Sequence, residues 1–366
     1  MQKIPVLYLR QSRGGGGGAD TVLLDTVSRL DPGRFQAIVG YIRKERDNIS
    51  ALTDKALSKG IRPLDLPGKT FIDLAQLRRL KELVRSRKIE IIHCNDQKSD
   101  VYGYLAGLLC PEVKLVSTIH GWISNRLRSR FYLMLDRMVL RRFDAVIVVS
   151  DDLRNKAIGY GMSKVHRIHN AVDTSFWVPS GHTEKNEMPR VGFVGRLSKE
   201  KGPLDFVRAA HRISQSLPNA RFIVAGKGEE EDAMKRLIAA LGFSDKFEFA
   251  GHLDESGLKS LYNTLDCLLM TSYTEGLPMT ILEACAMRVP VVSTKVGGVA
   301  EIVQDGTNGF LSAAGDVETL AANAVRILTD GPLSVTLKNN GRKIVEENFS
   351  LTVNIEKLQA VYESVL

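Results

Sequence analysis

Short apolar runs alternate along the chain with stretches in which apolar residues recur every three or four positions. The runs have the length of buried strands, and the spaced stretches have the period of helices that pack on a sheet. The runs lie at 4–9, 36–42, 61–66, 89–93, 113–119, 143–149, 165–168, 190–194, 222–225, 247–250, 265–270 and 289–293. Strands that alternate with helices form parallel sheets covered on both faces. The pattern therefore predicts an α/β protein with two Rossmann-like parallel-sheet domains facing a cleft.

A polar segment divides the strands into two sets. Residues 179–189 begin and end with proline and include Gly181 and Asn186, a composition typical of a linker. A chain of 366 residues exceeds one ordinary core. We expect an N-terminal domain at 1–178, a second domain at 190–350, and a last helix at 351–366.

Composition is that of a globular protein in a reducing compartment. Hydrophobic residues make up 44% of the chain and charged residues 25%. No apolar run is long enough to span a bilayer, and no long apolar region follows Met1, so neither a membrane span nor a signal peptide is expected. The four cysteines show no C-x-x-C spacing, and no Asp-x-Asp pair occurs. These features predict a cytoplasmic, metal-independent protein without a cofactor.

Positive charge is concentrated in the first half. Residues 1–172 carry 30 Lys+Arg against 17 Asp+Glu, whereas residues 173–366 carry 20 against 25. Two helical stretches, 74–87 and 124–142, combine apolar stripes with arginine-rich faces. Contact with anionic lipid headgroups is one expectation, and ordinary helices with solvated basic faces are the alternative. Nucleic acid is not expected, because aromatic residues do not interleave with the charges.

A glycine run follows the first predicted strand. It comprises Gly14, Gly15, Gly16, Gly17 and Gly18. Glycine lets a backbone approach a ligand closely, so we expect this loop to contact acceptor or donor phosphate. A dinucleotide fingerprint is a weaker interpretation, because no acid ends the second strand, and a plain flexible loop remains possible.

Two carboxylates flank a predicted helix start after the strand at 265–270. Glu275 and Glu283 are separated by a segment in which Pro278 marks the first helical turn. Free amides and the helix dipole favour an anion there, and carboxylates accept hydrogen bonds from hydroxyls. This order suits a nucleotide-diphosphate sugar. The alternative is that Glu275 is solvated and Glu283 lies on a surface turn.

Two cations follow the first strand of the second domain. Arg196 and Lys201 stand in the segment G-R-L-S-K-E-K-G at 195–202. Cations at the carboxyl end of a strand can neutralise a diphosphate without metal. Together with the carboxylates, they favour a diphosphate site in this domain.

These segments resemble retaining glycosyltransferases of family 4, which have the GT-B fold. The similarity rests on E-x7-E at 275–283, G-R-L-x-x-x-K-G at 195–202 and G-G-x-x-E at 297–301. At 170–173 the chain has N-A-V-D where the family has N-G-V-D, so a backbone contact with ligand there is less certain. The resemblance implies that the last helix packs back on the first domain.

The resemblance also implies roles for individual residues. Arg196 and Lys201 would bind the donor diphosphate and stabilise the leaving nucleotide, while Glu275 and His120 would orient the donor sugar; none is assigned as nucleophile. Glu283 would bind the ribose hydroxyls. The remaining donor-binding candidates are Gly195, Lys227, His252, Leu253, Gly276, Leu277, Pro278 and Met279. His93 and Cys94 are interpreted as structural.

The predicted function is transfer of a sugar from a nucleotide-diphosphate donor to a saccharide or lipid-linked acceptor. We expect it to serve cell-surface polysaccharide or glycolipid biosynthesis, in the cytoplasm or at the inner face of the cytoplasmic membrane. A sugar-nucleotide 2-epimerase of the same fold is an alternative, for which Asp96 and Asp100 are the nearest first-domain carboxylates. A non-catalytic nucleotide-sugar binding protein is another.

Overall fold

A computed structural model describes residues 3–11, 18–45, 47–121, 127–180 and 188–366. It divides into one unit formed by Met1–Asn170 with Leu351–Leu366 and another formed by Ala171–Ser350. The strands are β1 (Ile4–Gln11), β2 (Phe35–Lys44), β3 (Leu64–Gly68), β4 (Ile91–Cys94), β5 (Lys114–Ile119), β6 (Ala145–Val148), β7 (Val165–Arg167), β8 (Arg190–Val194), β9 (Arg221–Ala225), β10 (Phe247–Gly251), β11 (Cys267–Met270), β12 (Val291–Thr294) and β13 (Gly309–Ser312).

Helices fill the intervals between the strands. They are α1 (Gly18–Arg29), α2 (Ser50–Ser58), α3 (Leu74–Ser86), α4 (Gln97–Leu109), α5 (Leu127–Leu140), α6 (Asp151–Gly159), α7 (Pro203–Ser216), α8 (Glu231–Ala240), α9 (Glu255–Tyr262), α10 (Met279–Ala286), α11 (Val299–Ile302), α12 (Val317–Thr329), α13 (Gly331–Asn348) and α14 (Leu351–Val365). No helix in the described ranges is both long and apolar enough to cross a bilayer.

The first unit is built on a parallel sheet with the order β3-β2-β1-β4-β5-β6-β7. Its central strands are apolar on both faces because helices cover both, and Val6 and Leu7, whose side chains point to opposite faces, are fully buried. The terminal helix α14 packs on α1, and its Leu358 and Tyr362 complete the core of this unit.

The second unit is built on a parallel sheet with the order β10-β9-β8-β11-β12-β13. Helices α7 and α12 pack against each other over one face, around the fully buried Phe206 and Leu320. On the other face α10 packs against α13. In both units the carboxyl ends of the strands lie at one edge of the sheet, which is where ligands bind in open α/β folds.

Residues 171–178 lie in the second unit, not in the first as the predicted boundary at 178 has it. Val172 forms a bridge with Ser350, and its amide donates to Phe349 O at 3.0 Å. The guanidinium of Arg342 donates to Trp177 O and, at 3.0 Å, to Thr174 O. These bonds hold the segment to α13. Of the predicted linker, residues 181–187 lie outside the described part of the chain.

Asp96 caps helix α4 through the amides of Lys98 and Ser99 at 3.0 Å. Two elements differ from the sequence-based assignment. The edge strand β13 has no counterpart among the apolar runs of the sequence. Helix α10 begins at Met279, with Pro278 as its N-cap residue and not its first helical residue.

Candidate active site

Backbone hydrogen bonds join the loops at the carboxyl ends of β8, β9 and β10. The amide of Gly195 donates to Ala225 O at 2.9 Å, and the amide of Leu197 donates to Lys227 O at 3.0 Å. The amide of Gly226 donates to Gly251 O at 2.7 Å. These bonds fix the loop that carries Arg196 beside the loop that carries Lys227.

Glycine is required where the first two loops meet. Gly226 has a φ of +143°, and a Cβ atom on it would lie 1.8 Å from Gly195 O. That separation is far below any van der Waals contact, so no other residue fits without moving the backbone. The sequence signal for this contact is the G-K-G turn at 226–228.

A second set of bonds joins the loop after β8 to the loop after β11. Residues Lys199–Lys201 form one 3-10 turn that ends at Gly202, which has a φ of 62°. Thr271 Oγ1 donates to Gly202 O at 2.8 Å, and the amide of Tyr273 donates to Glu200 O at 2.8 Å. This packing brings Lys201 to the segment that carries Glu275.

Lys201 and Glu275 form a bidentate ion pair. Lys201 Nζ lies 2.6 Å from Glu275 Oε1 and 2.8 Å from Oε2. Ser272 Oγ donates to Oε1 at 2.7 Å, a contact that the sequence analysis missed although S-x-x-E is visible at 272–275. The Glu275 side chain is 7% exposed and the Lys201 side chain 24% exposed. Since the ammonium is partly open to solvent, an anion can reach it while Glu275 holds it in place.

Arg196 lies on the same loop with its guanidinium largely in solvent. The side chain is 69% exposed, and Nη2 lies 3.3 Å from Glu200 Oε1. Because the arginine side of this pair is largely in solvent, the pair contributes little energy, and the guanidinium can turn to an anion at small cost.

The segment 275–279 is held from the other side by the loop after β12. The amide of Gly298 donates to Gly276 O at 2.8 Å, and a Cβ atom on Gly297 would lie 1.9 Å from Glu275 O. Within this segment Leu277 and Pro278 are buried, and α10 starts at the next residue, Met279. The positive end of α10 thus adjoins the Lys201–Glu275 pair.

Glu283 is buried and not on a surface turn. It is 8% exposed, and its Oε2 accepts a hydrogen bond from Tyr262 Oη at 3.1 Å. Burial and then the charge of Glu283 raise the pKa of Tyr262 well above its usual range, so the phenol stays a donor. The ribose role of Glu283 stays a prediction.

Other predicted donor residues lie at the ends of neighbouring strands. Lys227 and His252 follow β9 and β10 and are exposed, and Leu253 is half-buried. Gly195, with a φ of +154°, ends β8. The structure thus places these residues on one edge of the second sheet, and their contacts with a ligand remain predictions.

His120 follows β5 in the first unit; the residue is half-buried, and both of its ring nitrogens are shielded from solvent. Neither ring nitrogen has a protein partner of ordinary hydrogen-bond geometry in the described part of the chain. Burial and then the charge of Arg10 lower the pKa of His120 to about 3, against a smaller opposing effect of the Asn170 side chain. The ring is therefore neutral at physiological pH, unlike a surface loop histidine.

His93 is a buried structural group. Its Nδ1 lies 2.5 Å from Tyr362 Oη and its Nε2 lies 2.7 Å from Thr118 Oγ1. Tyr362 Oη in turn donates to Tyr8 Oη at 2.6 Å. Burial lowers the pKa of His93 to about 3. The chain of bonds ties α14 to β4 and β5, the strand that ends at His120.

Of the five glycines in the predicted loop, Gly14, Gly15, Gly16 and Gly17 lie outside the described residues, and Gly18 begins α1. Within the described ranges, no group of three or more His, Cys, Asp or Glu side chains is arranged to hold a metal ion. Metal independence of the reaction stays a prediction.

Known proteins match both units. A profile described as Glycosyl transferases group 1 matches residues 179–344, and one described as Glycosyltransferase Family 4 matches residues 16–176. Glycogen synthase of Mycobacterium tuberculosis is 30% identical over 267 residues, which are 69% of this chain and 64% of that enzyme. This chain therefore spans slightly less than two thirds of that relative's length.

Two further proteins match over nearly the whole chain. The Escherichia coli UDP-Gal:alpha-D-GlcNAc-diphosphoundecaprenol alpha-1,3-galactosyltransferase is 23% identical over 93% of this chain and 94% of its own length. A structure of Anabaena Alr3699/HepE in complex with UDP and glucose is similar with a TM-score of 0.87 at 24% identity, and the match covers 99% of this chain and 100% of that one. The chain therefore belongs to the glycosyl transferases group 1 family and has the GT-B fold.

Proposed function

We propose that this protein is a retaining glycosyltransferase that moves a sugar from a nucleotide-diphosphate donor to a saccharide or lipid-linked acceptor. The second unit binds the donor. The observation that carries this proposal is the partly exposed Lys201–Glu275 pair beside the start of α10, with the exposed Arg196 on the same loop as Lys201.

The arrangement fits the charge of a diphosphate. Lys201, Arg196 and the N-terminus of α10 supply positive charge at one edge of the sheet, and charge-assisted bonds to phosphate are stronger than neutral ones. Negative charge develops on the distal phosphate as the sugar–oxygen bond breaks, so cations held in place stabilise that step most. No metal ion is needed in this scheme.

Glu275 has a second task in the same scheme. When the Lys201 ammonium binds a phosphate of the donor, the Glu275 carboxylate is freed to accept hydrogen bonds from hydroxyls of the donor sugar. Ser272 keeps the carboxylate oriented during that exchange. His120, whose ring is neutral and whose nitrogens have no partner of ordinary hydrogen-bond geometry among the described residues, is assigned to orient the sugar from the first unit.

The comparisons support the donor and acceptor classes. UDP and glucose are bound in the Anabaena structure, and the Escherichia coli enzyme is named for a UDP-linked sugar and a diphosphoundecaprenol-linked acceptor. By this likeness we assign the protein to cell-surface polysaccharide or glycolipid biosynthesis. Retention of configuration rests on the resemblance of the 275–283 segment to retaining enzymes.

A panel of nucleotide sugars tests the proposal. Thermal shift identifies the donor, and NMR of the product made with a methyl glycoside as acceptor reports the anomeric configuration. Arg196→Gln should reduce turnover strongly, whereas Arg208→Gln, an arginine of α7 paired with Asp205, serves as the control. Conversion of donor into an epimer without acceptor would favour the 2-epimerase, and binding without turnover would favour a non-catalytic protein.

We also propose that α3 and α5 touch an anionic membrane surface. Leu74 of α3 is 79% exposed, and Met134 and Met138, one turn apart on α5, are 54% and 57% exposed. Helix α4 packs against both helices, and the rings of Phe71 and Tyr132 stack with centroids 4.2 Å apart, so α3 and α5 share one side of the unit.

Exposed arginines lie on the same helix as Leu74. They include Arg78, Arg79 and Arg85 on α3. On α5, Arg137 instead stacks 3.6 Å from the Tyr160 ring, and the Arg141 guanidinium bonds to Tyr160 O, so this part of the predicted basic face turns toward α6. The side chains of Arg128 and Arg130 and all of Arg126 lie outside the described part.

Vesicle flotation tests this contact. Phosphatidylglycerol vesicles should bind the protein at low salt and release it at high salt, and Arg78→Glu with Arg85→Glu should weaken binding. Lys357→Glu, an exposed charge change on α14, is the control and should not. If the vesicles do not bind the protein at low salt, the proposed membrane contact of α3 and α5 is wrong.

A further inference from the structure

Tyr262, the last residue of α9, reaches the helix that carries Glu283. Its hydroxyl donates to Glu283 Oε2 at 3.1 Å and also lies 3.3 Å from Thr280 O in the first turn of α10. A charged acceptor binds a hydroxyl more strongly than a neutral carbonyl does, so the bond to the carboxylate is the stronger of the two. Tyr262 is 1% exposed, and bulk water therefore does not compete for this bond.

The hydroxyl of Tyr262 acts on Glu283 as a donor at every physiological pH. Burial and then the charge of Glu283 raise the pKa of Tyr262 well above its usual range, so the phenol keeps its proton. A carboxylate has about four acceptor positions, and one bond from a tyrosine leaves positions for a ligand. Tyr262 thus fixes the carboxylate without occupying all of its acceptor positions.

The ring of Tyr262 is held in turn by the segment 171–178. The Trp177 ring packs edge-on against it, with ring centroids 5.8 Å apart and an interplanar angle of 72°. The Arg342 guanidinium donates to Trp177 O and, at 2.7 Å, to Ala286 O at the end of α10. Arg342 therefore ties the segment that carries Trp177 to the helix that carries Glu283, and Tyr262 contacts both side chains.

Glu283 is placed one helical turn from the phosphate end of the proposed donor site. It follows Met279, the first residue of α10, by four positions, so the two side chains lie on one face of the helix, about 6 Å apart along its axis. In a nucleoside diphosphate the ribose is bonded directly to the phosphate chain, and its 2′ and 3′ hydroxyls can donate to a carboxylate. A carboxylate at this place is therefore within reach of them.

We propose that Tyr262 is a positioning residue of the donor site, which orients the Glu283 carboxylate toward the ribose and thereby sets a preference for ribonucleotides over 2′-deoxyribonucleotides. The inference rests on the proposed function and on the ribose role predicted for Glu283. It adds a residue that lies outside every motif of the sequence analysis.

A structural role and a positioning role of Tyr262 have different consequences. If the hydroxyl only stabilised the packing of α9 on α10, its loss would weaken ribonucleotides and deoxyribonucleotides by the same factor. If it orients the carboxylate, its loss weakens the ribonucleotide far more, because the deoxyribonucleotide lacks one of the hydroxyls that Glu283 accepts from. The ratio of the two affinities therefore separates the two roles.

Titration calorimetry with matched pairs of nucleotides tests the proposal. The pairs are UDP with 2′-deoxy-UDP, GDP with 2′-deoxy-GDP, and ADP with 2′-deoxy-ADP. We expect wild-type protein to bind the ribonucleotide of its preferred base at least about tenfold more tightly than the deoxyribonucleotide, because a hydrogen bond to a charged group is lost with the hydroxyl.

Tyr262→Phe keeps the ring that contacts Trp177 and removes only the hydroxyl. The preference for the ribonucleotide should fall to about threefold or less, and the affinity for the deoxyribonucleotide should change by less than about threefold. Tyr102→Phe is the matched control, because Tyr102 is also buried and its hydroxyl accepts from the amide of Asp73 at 2.8 Å, but in the first unit. This control should keep the wild-type preference.

A labelled protein decides the question if Tyr262→Phe does not fold. Site-specific incorporation of 3-fluorotyrosine in place of Tyr262 retains the hydroxyl and gives a single fluorine-19 signal. We expect that signal to move farther on saturation with the ribonucleotide than on saturation with its deoxyribonucleotide, because only the ribonucleotide offers both hydroxyls to the carboxylate that Tyr262 contacts.

Three results would overturn the inference and leave the proposed donor site in place. They are equal affinity of wild-type protein for the two members of its preferred pair, an unchanged preference in folded Tyr262→Phe, and an equal fluorine shift with both nucleotides. Loss of the preference in Tyr102→Phe as well would also overturn it, since the effect would not be specific to Glu283. If wild-type protein binds no nucleoside diphosphate at all, the proposed transferase function fails too, so the two failures are distinguishable.

Discussion

Replacing Lys201 should lower both the free energy of unfolding and the affinity for the donor, for two different physical reasons. A second substitution, Glu275→Gln, should restore the stability but not the affinity. In Lys201→Met, Glu275 keeps its contact with Ser272 but loses both short contacts with the ammonium. The carboxylate side chain is only 7% exposed, so its charge is left poorly solvated.

The loss of unfolding free energy can be estimated from the burial of Lys201 and Glu275. Breaking a fully buried pair from one side costs about 3–5 kcal/mol. Lys201 is 24% exposed, so water compensates part of the loss, and we expect Lys201→Met to cost about 1–3 kcal/mol. Adding Glu275→Gln removes the buried carboxylate charge that has lost its partner. The free energy of unfolding of the double variant should then lie within about 1 kcal/mol of the wild-type value.

The order of the variants in nucleoside diphosphate affinity should differ from their order in stability. A charge-assisted bond to phosphate contributes about 1.5–3 kcal/mol, so Lys201→Met should weaken nucleoside diphosphate binding about 10- to 150-fold. The double variant should remain as weak, because it still lacks the cation. Glu275→Gln alone should bind a nucleoside diphosphate at least as tightly as wild type, since Lys201 no longer has to leave a carboxylate.

Urea unfolding and titration calorimetry on the four proteins of this cycle provide the assay. UDP, GDP, ADP and dTDP are the probes, and the tightest binder is carried through the cycle. Recovery of diphosphate affinity together with stability in the double variant would refute the reasoning, because Lys201 would then act through folding alone.

Three further predictions follow from other parts of the structure. Gly226→Ala should lower the free energy of unfolding by about 2–4 kcal/mol, since its Cβ would lie 1.8 Å from Gly195 O at a φ of +143°, and an unchanged urea midpoint would contradict this. Tyr362→Phe should cost about 1–3 kcal/mol in the same assay, because the buried His93 Nδ1 loses its partner; a change below about 0.5 kcal/mol would show that the bond contributes little. The folded-state pKa of His120 is about 3, below its unfolded value, so it contributes stability above about pH 6.5 that is lost as pH falls toward 3. His120→Gln should flatten the acid limb of unfolding free energy against pH by up to about 1.4 kcal/mol per unit, and an identical limb would contradict a neutral buried ring.

The sequence pattern was sufficient for the class of fold, and its errors have physical reasons. Buried parallel strands are continuous apolar runs, so β1 and β8 are visible in the sequence. The edge strand β13 is short and follows a glycine turn, so its local pattern is that of a loop. The boundary at 170 depends on bonds from Arg342, a residue remote in sequence, which no local pattern contains.

The candidate site was predicted in part for a similar reason. Arg196, Lys201 and Glu275 lie in segments with glycine and proline punctuation at strand ends, which is a local signal. The bidentate contact between Lys201 and Glu275 depends on side-chain packing across two loops and could not be read from spacing. The same holds for Tyr262, which ends an ordinary amphipathic helix and meets Glu283 through tertiary packing.

The central claim is that Lys201 and the segment 275–279 hold the diphosphate of a nucleotide sugar. Phosphorus-31 NMR of the nucleotide sugar selected by thermal shift tests it most directly. The account predicts that wild-type protein shifts and broadens both phosphorus signals and that the Lys201→Met/Glu275→Gln variant, although folded, leaves them close to their free positions. Equal perturbation by the two proteins, or no perturbation across the whole panel, would contradict it.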